Sequence, residues 1–189
     1  CSHTQNFASI LEQLEITLLI SSYHAGELIS VAAGRAGLDL SFHHFERAMG
    51  IAVRDNGFAV GTRTAVWTLT RDDGFAARIL PKGRYDSCFL TTSAQFTGEI
   101  QSHELAWSDD TLWAVNTRFS CLCTFDDRHS FVPRWRPKFI TALAAEDRCH
   151  LNGLAMESGR PRYVTALSET DHAEGWRPTK ARSGCLIDV

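Results

Sequence analysis

Two histidines have oxygen-bearing side chains close to them in the sequence. His103 is followed by Glu104, and His150 lies two residues before Asn152. Imidazole together with carboxylate or amide oxygen suits a divalent first-row metal ion. We expect His103, His150 and Asn152 to be ligands of one divalent metal ion, with Glu104 as a further ligand or as general base toward a metal-bound water. No compact motif such as HExxH or CxxC supports the site. The alternative is that both histidines hydrogen-bond backbone carbonyls where strands begin.

Arginine beside tryptophan forms a second kind of candidate site. Trp176 and Arg177 adjoin in the segment DHAEGWRPTKAR, and Arg148 lies just before the second candidate histidine. A guanidinium group can clamp a carboxylate or phosphate while an indole ring stacks on the ligand. We therefore expect Arg148, Trp176 and Arg177 to bind a ligand. The alternatives are that the Trp176 segment only covers the edge of a sheet, and that Asp147 or Glu146 neutralises Arg148.

The cysteines offer two further candidates. The sequence begins with Cys1, and a thiol with its own α-amino group as base is the arrangement of N-terminal nucleophile amidases. Cys121 and Cys123 would share one face of a strand and, with Cys149, could bind zinc. Small core residues are the favoured interpretation of these three. The six cysteines are too sparse for a disulfide scaffold, and we expect free, mostly buried thiols.

The elements that position these residues are almost all predicted to be β-strands. One segment, Asn6 to Ile16, has apolar residues at helical spacing. After it, short runs rich in Val, Ile, Thr, Phe and Trp alternate with turns rich in Gly, Asn, Asp and Ser. The basic segments FVPRWRPKF and DHAEGWRPTKAR are predicted to be loops. The sequence thus predicts an all-β fold with one short N-terminal helix.

Internal repetition makes this prediction more specific. Three stretches, which start at Gly50, Glu104 and Gly153, share a plan of strand, polar turn, strand, turn and strand. A repeat of roughly 40 to 50 residues with about four strands is typical of a β-propeller blade. We expect a helical lead-in over residues 1–15 and a propeller domain over 16–189, with blade boundaries near 48, 102 and 150.

The propeller interpretation has two consequences. The innermost strand of each blade lines a central channel, where residues from different blades converge, so the two candidate histidines would meet at one end of it. Three blades and part of a fourth do not close a ring, because open sheet edges would remain exposed. We therefore expect the sequence to be the N-terminal portion of a longer propeller.

Long contiguous segments of the sequence resemble a known protein family. The run FSCLCTFDDRHSFVPRWRPKFITALAAEDRCHLNGLAMESGRPRYVTALSETDHAEGWR, from Phe119 to Arg177, resembles a bacterial family of propeller-like proteins of uncharacterised function, conserved hypothetical protein family 03032, which overlaps domain of unknown function 4915. The pieces FERAMGIAV and HELAWSDDTLWAVNT are similar to the same family. The resemblance implies a propeller-like fold and longer chains than this one, and it implies no particular reaction. The phrase NGLAMESGRPRYVT also resembles the blade start of gluconolactonase and regucalcin propellers, which implies a metal-ligand role for Asn152.

Composition and net charge limit which partners the protein is expected to bind. With 19 Lys and Arg against 22 Asp and Glu, the formal net charge is −3, so no basic surface for nucleic acid or anionic membrane is expected. No apolar run approaches the ~20 residues of a membrane helix, and we expect a cytoplasmic protein whose partner is a small molecule or another protein. The predicted function is binding through the central channel and the loops at its mouth. The alternatives are a metal-dependent hydrolase or oxidoreductase with the His/Glu/Asn site, and the Cys1 amidase.

Overall fold

The computed structural model describes residues 2–35 and 37–189. The chain divides into two compact units, Cys1–Ala48 and Met49–Val189, which are described separately below. The Cys1 nucleophile prediction lies outside the described residues. All the other candidate site residues belong to the second unit.

The first unit combines a short helix with an antiparallel sheet. Helix α1 (Phe7–Gln13) precedes strands β1 (Leu18–Ser22), β2 (Glu27–Gly34) and β3 (Gly37–His44), which pair in the order β1-β2-β3. The helix is shorter than predicted because Glu15 adopts a left-handed φ of 52°. The N–H of Ile16 then donates to the carbonyl of Leu11 and that of Glu15 to Glu12, which is the Schellman closure of a helix.

The second unit contains three antiparallel sheets, each with its strands in chain order. The strands are β4 (Ile51–Arg54), β5 (Gly57–Gly61), β6 (Ala65–Arg71) and β7 (Phe89–Phe96); β8 (Ser102–Ser108), β9 (Thr111–Asn116), β10 (Cys121–Thr124) and β11 (Val132–Trp135); and β12 (Leu151–Glu157), β13 (Arg160–Ala166) and β14 (Cys185–Asp188). The all-β prediction is confirmed, and each predicted repeat forms one sheet. A sheet that runs through consecutive hairpins in this way has the form of a propeller blade.

Two local predictions differ from the structure. A second helix, α2 (Asp73–Ala76), lies between β6 and β7 and is one turn long, with the Asp72 carboxylate accepting from the N–H of Phe75 as an N-cap. The segment FVPRWRPKF was predicted to be a loop, but Val132–Trp135 pairs with β10 as strand β11. This short edge strand includes a proline, which an edge position tolerates because one side of the strand needs no partner.

The first strands of the three sheets lie side by side, β4 next to β8 and β8 next to β12. The N–H of Gly50 donates to the carbonyl of Ser102 at 3.0 Å, and the Thr117 hydroxyl donates to the carbonyl of Leu151. A Cβ at Gly50 would lie only 2.8 Å from the backbone carbon of Glu104, so this approach requires glycine. The sheets are therefore in close contact where β4, β8 and β12 begin.

Alternate faces of the middle sheet supply two cores. On one side Ala114 and Cys121 pack with Ala52, Val66 and Leu105. The other side has a second buried cluster, with members Val115, Leu122, Ile140, Cys149, Leu151 and Val164. Neighbouring residues of a strand point to opposite faces. Because this sheet is covered on both faces, successive residues of β9 and β10 are apolar instead of alternating with polar ones.

Candidate functional site

The two candidate histidines meet where strands β8 and β12 begin. His103 is the second residue of β8, and His150 directly precedes β12. Their ring centroids lie 5.0 Å apart with an interplanar angle of 67°, an edge-to-face contact. Both rings are partly exposed. The structure thus brings together two imidazoles that are 47 positions apart in the sequence.

A buried carboxylate holds His150. The side chain of Asp147 is 9% exposed, and its Oδ2 lies 2.8 Å from Nδ1 of His150. Since a carboxylate oxygen only accepts, Nδ1 of His150 carries the hydrogen, and Nε2 is an acceptor whenever the ring is neutral. No described residue hydrogen-bonds this Nε2 atom. Asp147 therefore fixes which nitrogen of His150 is available to a ligand.

Trp176 completes the arrangement from the 168–183 loop. Its indole N–H donates to the same Oδ2 atom of Asp147 at 3.1 Å. Its ring centroid lies 4.4 Å from that of His150, and the residue is 7% exposed. The predicted Trp176 is thus at the site, but its N–H and one face are already in use within the protein. We call His103, Asp147, His150 and Trp176 the imidazole cluster.

The backbone beneath the cluster is unusual. Asp147 and His150 have φ values of 46° and 52°, in the left-handed region that costs free energy for residues other than glycine. The conformation is held by hydrogen bonds to the preceding sheet: Asp147 N–H donates to the Arg118 carbonyl at 2.9 Å, and Arg148 N–H donates to Ser120 Oγ at 3.2 Å. These bonds place the Asp147 and His150 side chains before any ligand arrives.

Burial dominates the electrostatics of β8. It lowers the pKa of His103 below the usual value for histidine, and the neighbouring His150 lowers it further, while Asp147 acts in the opposite sense. Burial also raises the pKa of Glu104, and the hydrogen bond from the Leu105 N–H to its Oε1 atom partly offsets this. His103 is therefore held neutral near pH 7.

The predicted anion-binding arginines are already paired with carboxylates. Arg148 donates to Glu146 through Nε and to Asp171 through an Nη atom, both at 2.8 Å. Glu146 is thus a partner of Arg148, as one alternative supposed, and Asp171 is a second partner that the sequence did not indicate. Arg177 forms a two-pronged pair with Glu174 at 2.7 and 2.9 Å and lies over the Trp176 ring. A ligand role for either arginine stays a prediction.

The metal prediction also stays a prediction. Asn152 is exposed on β12 and its side chain hydrogen-bonds no described residue, so the side chain is available as a ligand. Within residues 2–35 and 37–189, however, no three or more His, Cys, Asp or Glu side chains come together as a metal-binding group. The two histidines could supply two ligands, and Glu104 or Asn152 would have to supply the next.

The cysteines behave as core residues. Five described cysteines are free, and Cys121, Cys123 and Cys149 are buried. Burial raises the pKa of Cys121 to about 12 and that of Cys149 to about 11. Both thiols are therefore protonated at neutral pH, in agreement with the favoured interpretation of small core residues.

Asp147 is the site residue that sequence reasoning missed. It was considered only as a partner of Arg148, whereas it holds His150 and Trp176. One signal could have indicated it, the spacing D-x-x-H, which occurs in DRCH and again in DDRH. In the second copy Asp126 accepts from His129 at 3.0 Å on an exposed turn, so the spacing predicts the pair but not its burial.

Comparison with known proteins shows the family. Residues 5–189 match the family described as "Domain of unknown function (DUF4915)", and the chain belongs to this family. The resemblance to domain of unknown function 4915 is thereby confirmed. A search of curated proteins found no match. In the part of the chain that the structure describes, no helix has the length and apolar character needed to cross a membrane.

Proposed function

We propose that this protein binds a small molecule at the imidazole cluster, with His150 and His103 in contact with the ligand. The observation that carries the proposal is the Asp147–His150 hydrogen bond of 2.8 Å, which orients one imidazole and leaves its Nε2 atom without a partner among the described residues. Polar groups placed in this way by a buried partner are typical of binding sites.

The arrangement of the sheets supports this location. The first strands of three blade-like sheets lie side by side, and ligand sites of propellers gather where such strands converge. A propeller-type fold with a ligand at the mouth of its central channel, in the cytoplasm and without nucleic acid or membrane as partner, is part of the proposal.

Histidine NMR of the protein with ¹³C-labelled imidazoles tests it. A fragment library is added in pools, and the Hε1 signals of all eight histidines are followed. A ligand of the cluster is expected to move the signals of His103 and His150 and to leave His129 unchanged. Binding should be lost in both His103→Gln and His150→Gln and kept in His129→Gln. Hits that bind all three variants equally would show that the ligand sites lie elsewhere.

A metal-dependent hydrolase or oxidoreductase is the second candidate. The Asp147–His150 hydrogen bond favours it, because histidines that ligate metals usually donate their other ring N–H to a carboxylate or carbonyl. His103 and Asn152 would be the other ligands, and Glu104 a ligand or general base. Elemental analysis of protein purified without chelator or affinity metal tests this candidate. Near-stoichiometric metal in the parent that is lost in both histidine variants supports a metal-dependent enzyme. Folded parent protein that contains no metal and takes up none on reconstitution excludes it.

A further inference from the structure

We infer that the ligand of the imidazole cluster is a hydrogen-bond donor, a polyhydroxy compound or an amine, and not an anion. The inference rests on the proposed function and names the chemical class of its ligand. It departs from the expectation that Arg148, Trp176 and Arg177 clamp a carboxylate or phosphate.

The groups that the cluster offers are mainly acceptors. His150 presents Nε2, since Asp147 accepts the hydrogen on Nδ1. His103 has no hydrogen bond from its ring to any described residue, and as a neutral imidazole it offers one acceptor and one donor. The two rings thus offer two acceptors and one donor, so a matching ligand brings more hydrogen-bond donors than acceptors.

The second oxygen of Asp147 is an independent sign of the same preference. Its Oδ1 atom is buried and has no hydrogen-bond partner among the described residues, while Oδ2 accepts from both His150 and Trp176. Buried carboxylate oxygens are nearly always hydrogen-bonded in proteins, to protein groups, water or a ligand. Because no described group compensates this oxygen, the negative charge of Asp147 beside His150 favours an incoming donor over an anion.

The two arginines that were predicted to clamp an anion are paired with carboxylates. Arg148 is shared between Glu146 and Asp171, and Arg177 is paired with Glu174. An anion that used either arginine would have to displace one of these carboxylates and also approach the buried charge of Asp147. A hydroxyl or ammonium group meets neither obstacle.

Titrations with four groups of probes test the inference. The donors are myo-inositol and D-glucose for the polyhydroxy arm and ethanolamine and spermidine for the amine arm. Inorganic phosphate and citrate form the anion arm, and Zn²⁺ and Mn²⁺ form the metal arm. Each is added to the whole chain while the His103 and His150 Hε1 signals are followed. His150→Gln and His103→Gln are the test variants, and His129→Gln is the matched control because it alters the exposed copy of the D-x-x-H pair.

At least one donor arm is expected to move both signals, with affinity weakened about tenfold or more in each test variant and unchanged in the control. The arm that responds separates polyhydroxy compounds from amines. Binding confined to the anion arm and dependent on both histidines would overturn the donor inference and leave the proposed site intact. Binding confined to the metal arm would overturn the donor inference in favour of the metal candidate. No response in any arm would overturn both the inference and the small-molecule proposal.

Discussion

Asp147 and Trp176, 29 positions apart, are joined by a hydrogen bond from the indole N–H to a carboxylate oxygen at 3.1 Å. The same oxygen accepts from His150, so the loop that carries Trp176 is tied to the candidate ligand-binding imidazole through one atom. Substitution of Trp176 removes the donor of this hydrogen bond, and substitution of Asp147 changes its acceptor, so the two residues can be tested in turn.

Replacement of Trp176 by phenylalanine keeps an aromatic ring against His150 and removes the N–H donor. Because Asp147 is buried, we expect the loss to lower the free energy of unfolding by about 1–2 kcal/mol, measured by urea denaturation. The Hε1 signal of His150 should shift as well, since its neighbour changes. Arg177→Gln is the control, because it alters only an exposed ion pair with Glu174 and should lower the free energy of unfolding less than Trp176→Phe does.

Replacement of Asp147 by asparagine removes a negative charge from the cluster with little change in shape. Because Asp147 raises the pKa of His103, the variant should titrate His103 at lower pH than the parent does. Histidine NMR between about pH 5 and pH 8 measures this. The matched change Asp126→Asn at the exposed D-x-x-H pair should leave His103 unaltered. An unchanged or raised pKa of His103 in Asp147→Asn would contradict the electrostatic link.

The depressed pKa of His103 predicts acid sensitivity. In the unfolded chain this histidine takes up a proton near its ordinary pKa of 6.5, whereas in the folded protein it does so at lower pH. Between these two values the unfolded state binds more protons, so the free energy of unfolding falls as the pH falls below 6.5.

Urea midpoints across this range check the prediction. His103→Gln should show a weaker decrease with acid than the parent, and His172→Gln, which changes an exposed histidine, should follow the parent. A parent and His103→Gln variant with identical pH dependence would show that His103 does not contribute.

Gly50 allows the close approach of β4 to β8. An alanine there would place its Cβ 2.8 Å from the backbone carbon of Glu104, and backbone can yield only by moving the strand. We expect Gly50→Ala to lower the free energy of unfolding by about 1–3 kcal/mol and to shift the His103 signal. Gly184→Ala is the control, since nothing lies within 4 Å of the added atom.

Sequence patterns were sufficient for the strands and for the meeting of the two histidines. Alternating apolar residues and polar turns are local properties, so β4 to β6, β8 to β10 and β12 to β14 could be read from them. His103 and Asn152 each lie three residues before an alanine that the repeats share, Ala106 and Ala155, and His150 lies two residues before Asn152. Once the first strands were expected side by side, contact between His103 and His150 followed.

Partners that depend on the path of a loop could not be read in this way. The hydrogen bond of Trp176 to Asp147 and the pairing of Arg148 with Asp171 span 29 and 23 positions, and no periodic pattern links their ends. The sequence determined most of the strands and the positions of the histidines, because these follow from local alternation and repetition. Tertiary structure alone decided that Asp147 is buried while Asp126, with the same D-x-x-H spacing, is exposed, because burial depends on which loop packs over the turn.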